Sequence, residues 1–408
     1  MALPAAADES KPGPVLKKGA RVAIAGDSIT EGGVYSGLME LYLTACQPEL
    51  DLQVRQMGWS GATVQRLCGR LRLHPLPYKP DVAIVCLGGA DGGYTPFTPQ
   101  VGEQYSTHMG FIVETLKNAG AVVVVGSPCP MDPRFAGRKV YNDGISKLRD
   151  LARTIAQANG MPFADVNGAM LETMAKSKAA LGDDYPICGR DGIHPGYGGS
   201  LVIAYTLLKA MGVDGNIGTI TLDMKGPASV TSGHKVVSSE EGKAQIESAR
   251  YPFCFDGDAN SPESVRSILP FVSFNQEINR FTLVVKNLEG DKAKVAWGTA
   301  SKVFTRKELQ SGVNLAEAFV DGNPFSEAFK KAAAAVTAKQ GLQTRYKRIL
   351  DDVQEIMSPT TPWYDDPDTA AMIDTLRKKM DSSLDQSRTN VRGLLTPLTH
   401  TLTVTPEP

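Results

Sequence analysis

Three residues with the chemistry needed to turn a hydroxyl into a nucleophile stand at two widely separated places in the sequence. Ser28 lies in VAIAGDSITEGG, where an apolar run ends in a Gly-Asp-Ser turn, and Asp191 and His194 lie in DGIHPGYGG. A serine attacks poorly until an imidazole takes its proton, and the imidazole needs a carboxylate on its other nitrogen to fix its tautomer. The Asp-x-x-His spacing can supply both groups from one short loop.

Among the histidines, His194 is the best placed for this role. The chain holds five of them: His74, His108, His194, His234 and His400. His194 alone sits in a loop bounded by glycine and proline, beside an acidic residue at a workable spacing. His234, in GHKVV, is interpreted as a turn residue at the start of a strand.

The elements that would position these residues alternate between strands and helices over residues 21–213. The apolar runs are RVAIAGD, DLQVRQMG, DVAIVCLGG, AVVVVGSP and MPFADVN, and the amphipathic stretches between them end in glycine. Such alternation predicts βαβ units around a parallel sheet, and glycine favours a helix end. We therefore predict a three-layer α/β/α domain over residues 19–213. Ser28 should lie at the carboxyl edge of its sheet, where such folds bind ligands.

The pattern changes after residue 213, and 408 residues are too many for one ordinary core. Runs rich in β-branched residues predict a β-rich module over residues 214–322, with a hairpin in RFTLVVKNLEGDKAKVAWG. Two helical patterns separated by SPTTPWYDDP predict a helical hairpin over residues 323–395. Trp363 and Tyr364, at its tip, are expected to pin the hairpin to the β-rich module, or else to cover the cleft. Residues 396–408 are predicted to be a tail.

Composition excludes several classes of function. Apolar residues make up 42% of the chain and charged residues 21%, and the net charge is −1 with no basic stripe, which argues against a nucleic-acid partner. No apolar run is long enough to cross a bilayer. Six cysteines are too few for a disulfide scaffold, although one or two bridges are left open. No metal and no organic cofactor is implied.

The opening MALPAAADESKPGP is typical of the segment that follows a signal-peptide cleavage site. Residues 1–18 are therefore predicted to be a leader remnant or tail. This favours a secreted or periplasmic bacterial protein whose leader has been removed, and a cytoplasmic start is the alternative.

The sequence resembles the SGNH/GDSL hydrolase family over roughly residues 20–212, about half of the chain. The resemblance rests on GDSIT, GWSGAT, LGGAD and DGIHP, which occur in the order of the family's four blocks. It implies a flavodoxin-like fold with Ser28 as the nucleophile, His194 as the general base and acid, and Asp191 as the residue that orients the histidine. It also implies that the backbone N–H groups of Ser28 and Gly61 line the oxyanion hole.

The third block departs from the family's pattern. Gly-x-Asn-Asp is usual there, and its asparagine donates a third hydrogen bond to the oxyanion, whereas this chain has Gly88, Gly89, Ala90 and Asp91. Loss of such a donor costs on the order of 3 kcal/mol. Another group fills the gap, with Asn142 and the Gly92 backbone as candidates, or the enzyme works with two donors, or catalysis is lost and only binding survives.

The predicted function is that of a serine carboxylic-ester hydrolase that forms an acyl-enzyme. The resemblance points to short acyl or acetyl esters of carbohydrates, so the expected partner is a small-molecule or polysaccharide ester, with neither nucleic acid nor membrane insertion. The alternatives are a catalytically impaired binding protein on the same scaffold and an acyltransferase. The predicted substrate-binding residues are Asp27, Trp59, Asp91 and Tyr94.

Overall fold

The first half of the chain folds around a parallel sheet of five strands. The computed structural model describes residues 15–356 and 366–408. The strands are β1 (Arg21–Gly26), β2 (Gln53–Gln56), β3 (Val82–Cys86), β4 (Val122–Gly126) and β5 (Phe163–Ala164). Their order is β2-β1-β3-β4-β5, and every neighbouring pair is parallel. The strands β1, β3 and β4 are buried along almost their whole length, as expected of a parallel sheet with helices on both faces.

Helices cover both faces of this sheet. They are α1 (Ser28–Glu31), α2 (Val34–Ala45), α3 (Val64–Arg70), α4 (Pro75–Tyr78), α5 (Pro99–Asn118), α6 (Arg138–Asn159), α7 (Val166–Leu181) and α8 (Tyr197–Ala210), with a 3₁₀ turn at Pro48–Leu50. Helices α2, α7 and α8 pack on one face, and α3, α5 and α6 pack on the other. The predicted three-layer α/β/α fold is confirmed, and its strand order is that of flavodoxin-like sheets.

Two further sheets follow residue 213. Their strands are β6 (Asn216–Asp223), β7 (Ser229–Val230), β8 (His234–Glu240), β9 (Lys243–Ser248), β10 (Arg280–Lys286), β11 (Lys292–Trp297), β12 (Ala300–Thr305), β13 (Val313–Asn314) and β14 (Leu398–Glu407). The first sheet has the order β13-β10-β6-β7, and the second, antiparallel throughout, has the order β12-β11-β14-β9-β8. The short helices are α9 (Phe274–Glu277), α10 (Arg306–Ser311) and α11 (Leu315–Ala318), with a 3₁₀ segment at Val265–Phe271.

The predicted hairpin between β10 and β11 is wrong. Strand β10 pairs with β6 and β13, whereas β11 pairs with β12 and β14. The tight turn of β11 leads to β12 instead, through Gly298 at a φ of 64°. The apolar faces of β10 and β11 meet across the two sheets, where the ring centroids of Phe281 and Trp297 are 5.8 Å apart. The strands therefore stack on one another rather than pair edge to edge.

The predicted C-terminal tail is also wrong, because residues 398–407 form β14, the middle strand of the five-stranded antiparallel sheet. Leu402 and Val404 are almost completely buried. His400 is buried too, and its Nδ1 accepts a hydrogen bond from the indole N–H of Trp297 at 3.0 Å. The sequence LTHTLTVT alternates as a strand that is buried on one face does. The β-rich module therefore includes the end of the chain as well as residues after 213.

Two long helices, α12 (Ser326–Ile356) and α13 (Pro367–Gly393), pack against each other and against the first half of the chain. Helix α12 contacts α2 and β2 through polar groups. The ammonium group of Lys339 lies 2.6 Å from Glu40, and both side chains are at most 4% exposed. Breaking a buried ion pair of this kind costs about 3–5 kcal/mol. No helix in the described part of the chain has the length and apolar character that a membrane span requires.

Some of the sequence predictions concern residues outside the described ranges. These include most of the leader segment, residues 1–14, and Trp363 and Tyr364 at the expected tip of the helical hairpin. The six cysteines all lie within the described ranges, and each is a free thiol, so the bridges that the sequence left open are not formed.

The burial of β14 predicts a large effect of truncating its side chains. Leu402→Ala should lower the free energy of unfolding by about 2–5 kcal/mol, because it opens a cavity in the core. Thr401→Ala, at an exposed neighbouring position of the same strand, should change it by less than about 0.5 kcal/mol. Urea denaturation measures both, and equal small effects would mean that residues 398–407 do behave as a tail.

Candidate active site

The turn after β1 brings Ser28 to the carboxyl edge of the parallel sheet. Asp27 caps α1, since its Oδ1 accepts a hydrogen bond from the Ile29 N–H at 3.0 Å. Ser28 is the first residue of that helix. The chain passes close to itself here, because a Cβ on Gly26 would lie 2.0 Å from the Thr30 hydroxyl. The resulting bend leaves the Ser28 side chain partly exposed.

Asp191 and His194 come to the same edge on the loop between α7 and α8. The loop turns sharply at Gly189, which has a φ of 79° and no room for a Cβ beside the carbonyl oxygen of His194. Asp191 Oδ1 accepts the backbone N–H groups of Ile193 and His194, both at 2.9 Å. These bonds fix the carboxylate relative to the ring that follows it.

The structure joins the three predicted residues in one hydrogen-bonded chain. Asp191 Oδ2 lies 2.6 Å from His194 Nδ1, and His194 Nε2 lies 2.8 Å from Ser28 Oγ. Burial by itself would raise the pKa of Asp191, but the hydrogen bonds from His194 outweigh it and lower that pKa below its ordinary value. An ionised Asp191 keeps a proton on Nδ1, which leaves Nε2 to accept the serine proton. About half of the His194 side chain and half of the Asp191 side chain are exposed. A large substrate can therefore reach the three hydrogen-bonded residues.

Two backbone N–H groups beside Ser28 are free to bind an oxyanion. Gly61 has a φ of 70°, and the turn that carries it is tied to β1 by the bond from the Trp59 N–H to the Gly26 oxygen at 2.9 Å. Neither the Ser28 N–H nor the Gly61 N–H donates a hydrogen bond to another group within the described residues. Both sequence-predicted donors are thus unengaged.

Neither candidate replacement for the missing asparagine is available. The side-chain amide of Asn142 makes two hydrogen bonds with the backbone of Met131, each 2.8 Å long. The Gly92 N–H donates to the Tyr141 hydroxyl at 3.2 Å, and that hydroxyl donates to the Gly89 oxygen. Both groups stabilise their own loops, so neither fills the gap at Ala90.

The carboxylates of Asp27 and Asp91 make hydrogen bonds within the fold. These contacts do not support the prediction that the two residues bind substrate. Asp27 is 8% exposed and caps α1, while Asp91 Oδ1 accepts the Val64 N–H at 3.0 Å. Burial raises the pKa of each carboxyl to about 6. Asp91 Oδ2 is buried without a hydrogen-bond partner in the described part of the chain.

The two predicted aromatic residues lie in different surroundings. Trp59 is held between cations, with the Arg70 guanidinium 3.9 Å and the Lys347 ammonium 5.0 Å from its ring centroid. Tyr94 is half exposed and packs on Tyr141, the residue that supports the third block. Trp59 is thus part of the packing, whereas Tyr94 presents its ring to solvent.

A cavity of about 670 Å³ lies between α2, α12 and the segment 253–266, and it extends to Tyr197. Tyr197 stands three residues after His194 and is half exposed. Ser28, Asp191 and His194 do not line this cavity. The reacting groups therefore lie outside it.

The sequence analysis missed Glu31, three residues after Ser28. Its carboxylate accepts the Ser60 N–H at 3.0 Å, and Ser60 directly precedes Gly61. Lys347 and Arg348 supply its cationic partners. No local pattern could have revealed these partners, because they lie more than 300 residues further along the chain.

Residues 24–200 match the family model of GDSL-like lipases and acylhydrolases. This part of the chain is a GDSL-like lipase/acylhydrolase domain. The matched range begins within β1 and ends in α8, so it includes the Ser28, Asp191 and His194 chain and the Gly61 turn of the GDSL-like domain. A search of curated proteins found none that matches the chain.

Solved structures extend the likeness beyond the GDSL-like domain. A gut microbial diltiazem-metabolizing enzyme has a TM-score of 0.75 and 20% identity, with 97% of this chain and 99% of that chain covered. A putative GDSL-like lipase from Parabacteroides merdae has a TM-score of 0.43 and 22% identity, covering 49% of this chain and 99% of that one. A catalytic mutant of an acetylxylan esterase from Geobacillus stearothermophilus has a TM-score of 0.41 and 22% identity, covering 48% and 96%. The first of these shows that the fold of both halves occurs together elsewhere.

The pKa of Asp91 predicts a pH-dependent effect of Asp91→Asn on stability. Because burial raises this pKa from 3.8 to about 6 in the folded state, the wild type loses stability from this group as pH rises between those values. The asparagine carries no charge, so the variant should become more stable than the wild type by about 3 kcal/mol above pH 7, at 1.36 kcal/mol per pKa unit.

Denaturation at several pH values measures this difference. It should become small below about pH 3, where Asp91 is protonated in both the folded and the unfolded state. A difference that is the same at pH 3 and pH 8 would contradict the raised pKa.

Proposed function

We propose that this protein is a serine ester hydrolase that works through an acyl-enzyme. The observation that carries the proposal is the hydrogen-bonded chain from Ser28 through His194 to Asp191, at 2.8 and 2.6 Å. It lies beside the N–H groups of Ser28 and Gly61, neither of which donates a hydrogen bond within the described part of the chain. This arrangement has the parts that acyl transfer requires: a nucleophile, its base, an orienting carboxylate and oxyanion donors.

In this mechanism, Ser28 Oγ attacks the ester carbonyl while His194 Nε2 takes the hydroxyl proton. The oxyanion forms toward the N–H groups of Ser28 and Gly61, where donors stabilise the charge that develops in the transition state. His194 then gives its proton to the leaving alcohol, and Asp191 stabilises the imidazolium formed in between. A water molecule, activated by His194 in the same way, releases the acid and restores Ser28.

The surroundings of Ser28 favour a short acyl group on a large alcohol. The void beneath the serine turn, lined by Asp27, Ile29 and their neighbours, has a volume of only about 10 Å³, which is too small to hold an acyl chain. On the outer side, the half-exposed His194 and the exposed rings of Tyr94 and Tyr197 leave space for a bulky alcohol. Acetyl esters of carbohydrates are the substrate class that we propose first.

Ser28→Ala should abolish the release of p-nitrophenol from p-nitrophenyl acetate. Loss of the nucleophile removes the acyl-enzyme route, so kcat should fall by at least about 10³-fold. The melting temperature should stay the same, because the Ser28 side chain is at the surface. Wild-type protein that turns over no faster than Ser28→Ala would contradict the esterase and favour a binding protein on this scaffold.

A panel of esters would then define the substrate class. Acetylated xylan, acetylated pectin and p-nitrophenyl esters of increasing acyl length should separate the proposals, and activity should fall steeply from acetate to octanoate. Equal or greater activity on octanoate would contradict the short acyl group.

The gap at Ala90 predicts that Ala90→Asn raises activity. An amide at this position supplies the third donor that the family's pattern contains, and one donor contributes about 10²–10³ in kcat when it is perfectly placed. We expect an increase of about tenfold on p-nitrophenyl acetate, since the loop was not built around the amide.

Ala90→Asp is the matched control for this variant. It adds a group of the same size that repels the oxyanion, so kcat should fall. A folded Ala90→Asn variant with unchanged kcat would contradict the view that activity is limited by a missing donor at this position.

A further inference from the structure

A buried carboxylate connects the C-terminal half of the chain to the oxyanion hole. Glu31, three residues after Ser28, has a side chain that is only 7% exposed. It accepts hydrogen bonds from the N–H of Ser60, at 3.0 Å, and from the Ser60 hydroxyl. On its other side it contacts Lys347 Nζ at 3.3 Å and Arg348 Nη2 at 3.1 Å, both on α12.

Ser60 sets the direction of one of the two oxyanion donors. The peptide that joins Ser60 to Gly61 carries the Gly61 N–H, so the orientation of that N–H follows the orientation of Ser60. Glu31 holds the N–H and hydroxyl of Ser60 on one side of this peptide. On the other side, the Arg66 guanidinium donates to the Gly61 oxygen at 3.0 Å. The Gly61 peptide is thus fixed from both flanks.

Glu31 is also rigidly placed with respect to Ser28. Its N–H donates to the Asp27 oxygen at 2.9 Å within the first turn of α1. A Cβ on Gly58 would lie 2.4 Å from the Glu31 nitrogen, so the turn after β2 lies directly against this helix. A carboxylate on α1 that holds Ser60 therefore sets the distance between the two donors, Ser28 N–H and Gly61 N–H.

The charge that balances Glu31 comes from α12. Lys347 is 5% exposed, and burial lowers its pKa to about 8 even though Glu31 favours its charged form. Burial by itself would raise the pKa of Glu31, but the bonds from Ser60 and the charge of Lys347 outweigh it and lower that pKa. A buried carboxylate without a cation would be strongly destabilised, so the ionised Glu31 depends on α12.

We propose that Glu31 is a positioning residue for the oxyanion hole and that α12 controls the hole through it. Lys347 and Arg348 hold Glu31, Glu31 holds Ser60, and Ser60 directs the Gly61 N–H toward the oxyanion. This inference rests on the proposed esterase activity. It assigns to the C-terminal helices a part in the chemistry of the GDSL-like domain, beyond support of its fold.

Glu31→Gln tests this proposal with Glu40→Gln as the matched control. Glu40 is a second buried carboxylate that pairs with a lysine of α12, Lys339, but it has no contact with Ser60 among the described hydrogen bonds. Both variants weaken the packing of α12 on the GDSL-like domain. Only Glu31→Gln also removes the negative charge and one of the two acceptor oxygens from the carboxylate that binds Ser60.

We expect Glu31→Gln to lower kcat on p-nitrophenyl acetate by about 10- to 100-fold, since small misplacements of catalytic groups have effects of this size. KM should change by less than about threefold, because the ground-state ester does not need the Gly61 N–H. Glu40→Gln should lower the melting temperature and leave kcat per folded molecule unchanged. Ser60→Ala, which keeps the N–H bond and the charges, should lower kcat by a smaller factor, and it tests the same link if Glu31→Gln does not fold.

The outcomes separate this inference from the proposed function. If the wild type shows Ser28-dependent turnover, and the kcat of Glu31→Gln or of Ser60→Ala equals that of Glu40→Gln, the inference is overturned and the esterase stands. If the wild type shows no Ser28-dependent turnover, both are overturned. A fall in kcat for Glu31→Gln and Ser60→Ala, with no such fall for Glu40→Gln, supports the positioning role.

Discussion

The hydrogen bond between Ser28 Oγ and His194 Nε2, 2.8 Å long, joins positions that are 166 residues apart. It forms because the parallel sheet brings the end of β1 and the loop before α8 to the same edge. Each partner is then fixed locally, Ser28 by the cap of α1 and His194 by the bonds of Asp191. The chemistry that we propose depends on this convergence, since neither loop could activate a nucleophile by itself.

The two halves of the chain are connected through polar groups as well as through an apolar core. The pairs of Lys339 with Glu40 and of Lys347 with Glu31 are almost completely buried. Such pairs add little net stability compared with apolar packing, but they are costly to break singly. We infer that they hold α12 in one position relative to α2 and to the serine turn. The recurrence of the whole architecture in the diltiazem-metabolizing enzyme is consistent with a single structural unit.

The proposed oxyanion site has two backbone donors that are unengaged within the described residues, where the family's pattern has a third donor from asparagine. Backbone donors on a tight turn need little reorientation during the reaction. Their effect on the rate therefore depends on their direction as well as on their number. The Glu31 carboxylate binds the Ser60 N–H and the Arg66 guanidinium binds the Gly61 oxygen, so these contacts precede and follow the peptide that carries the Gly61 N–H. A site with fewer donors depends more strongly on such support. We therefore relate the missing asparagine at Ala90 to the hydrogen bonds that Ser60 makes with Glu31.

The sequence by itself determined the parallel α/β domain and the set of Ser28, Asp191 and His194. The periodicity of apolar residues, the glycines at helix ends and the short motifs are all local signals. The sequence did not predict the pairing of β10 and β11 or the existence of β14, because strand propensity does not specify which strands pair. Residues 398–407 pair with strands more than 100 residues earlier in the chain. The sequence also could not reveal Glu31 as the contact of Lys347 and Arg348. Charges pair through space, and only the tertiary structure decides which buried carboxylate lies opposite which cation.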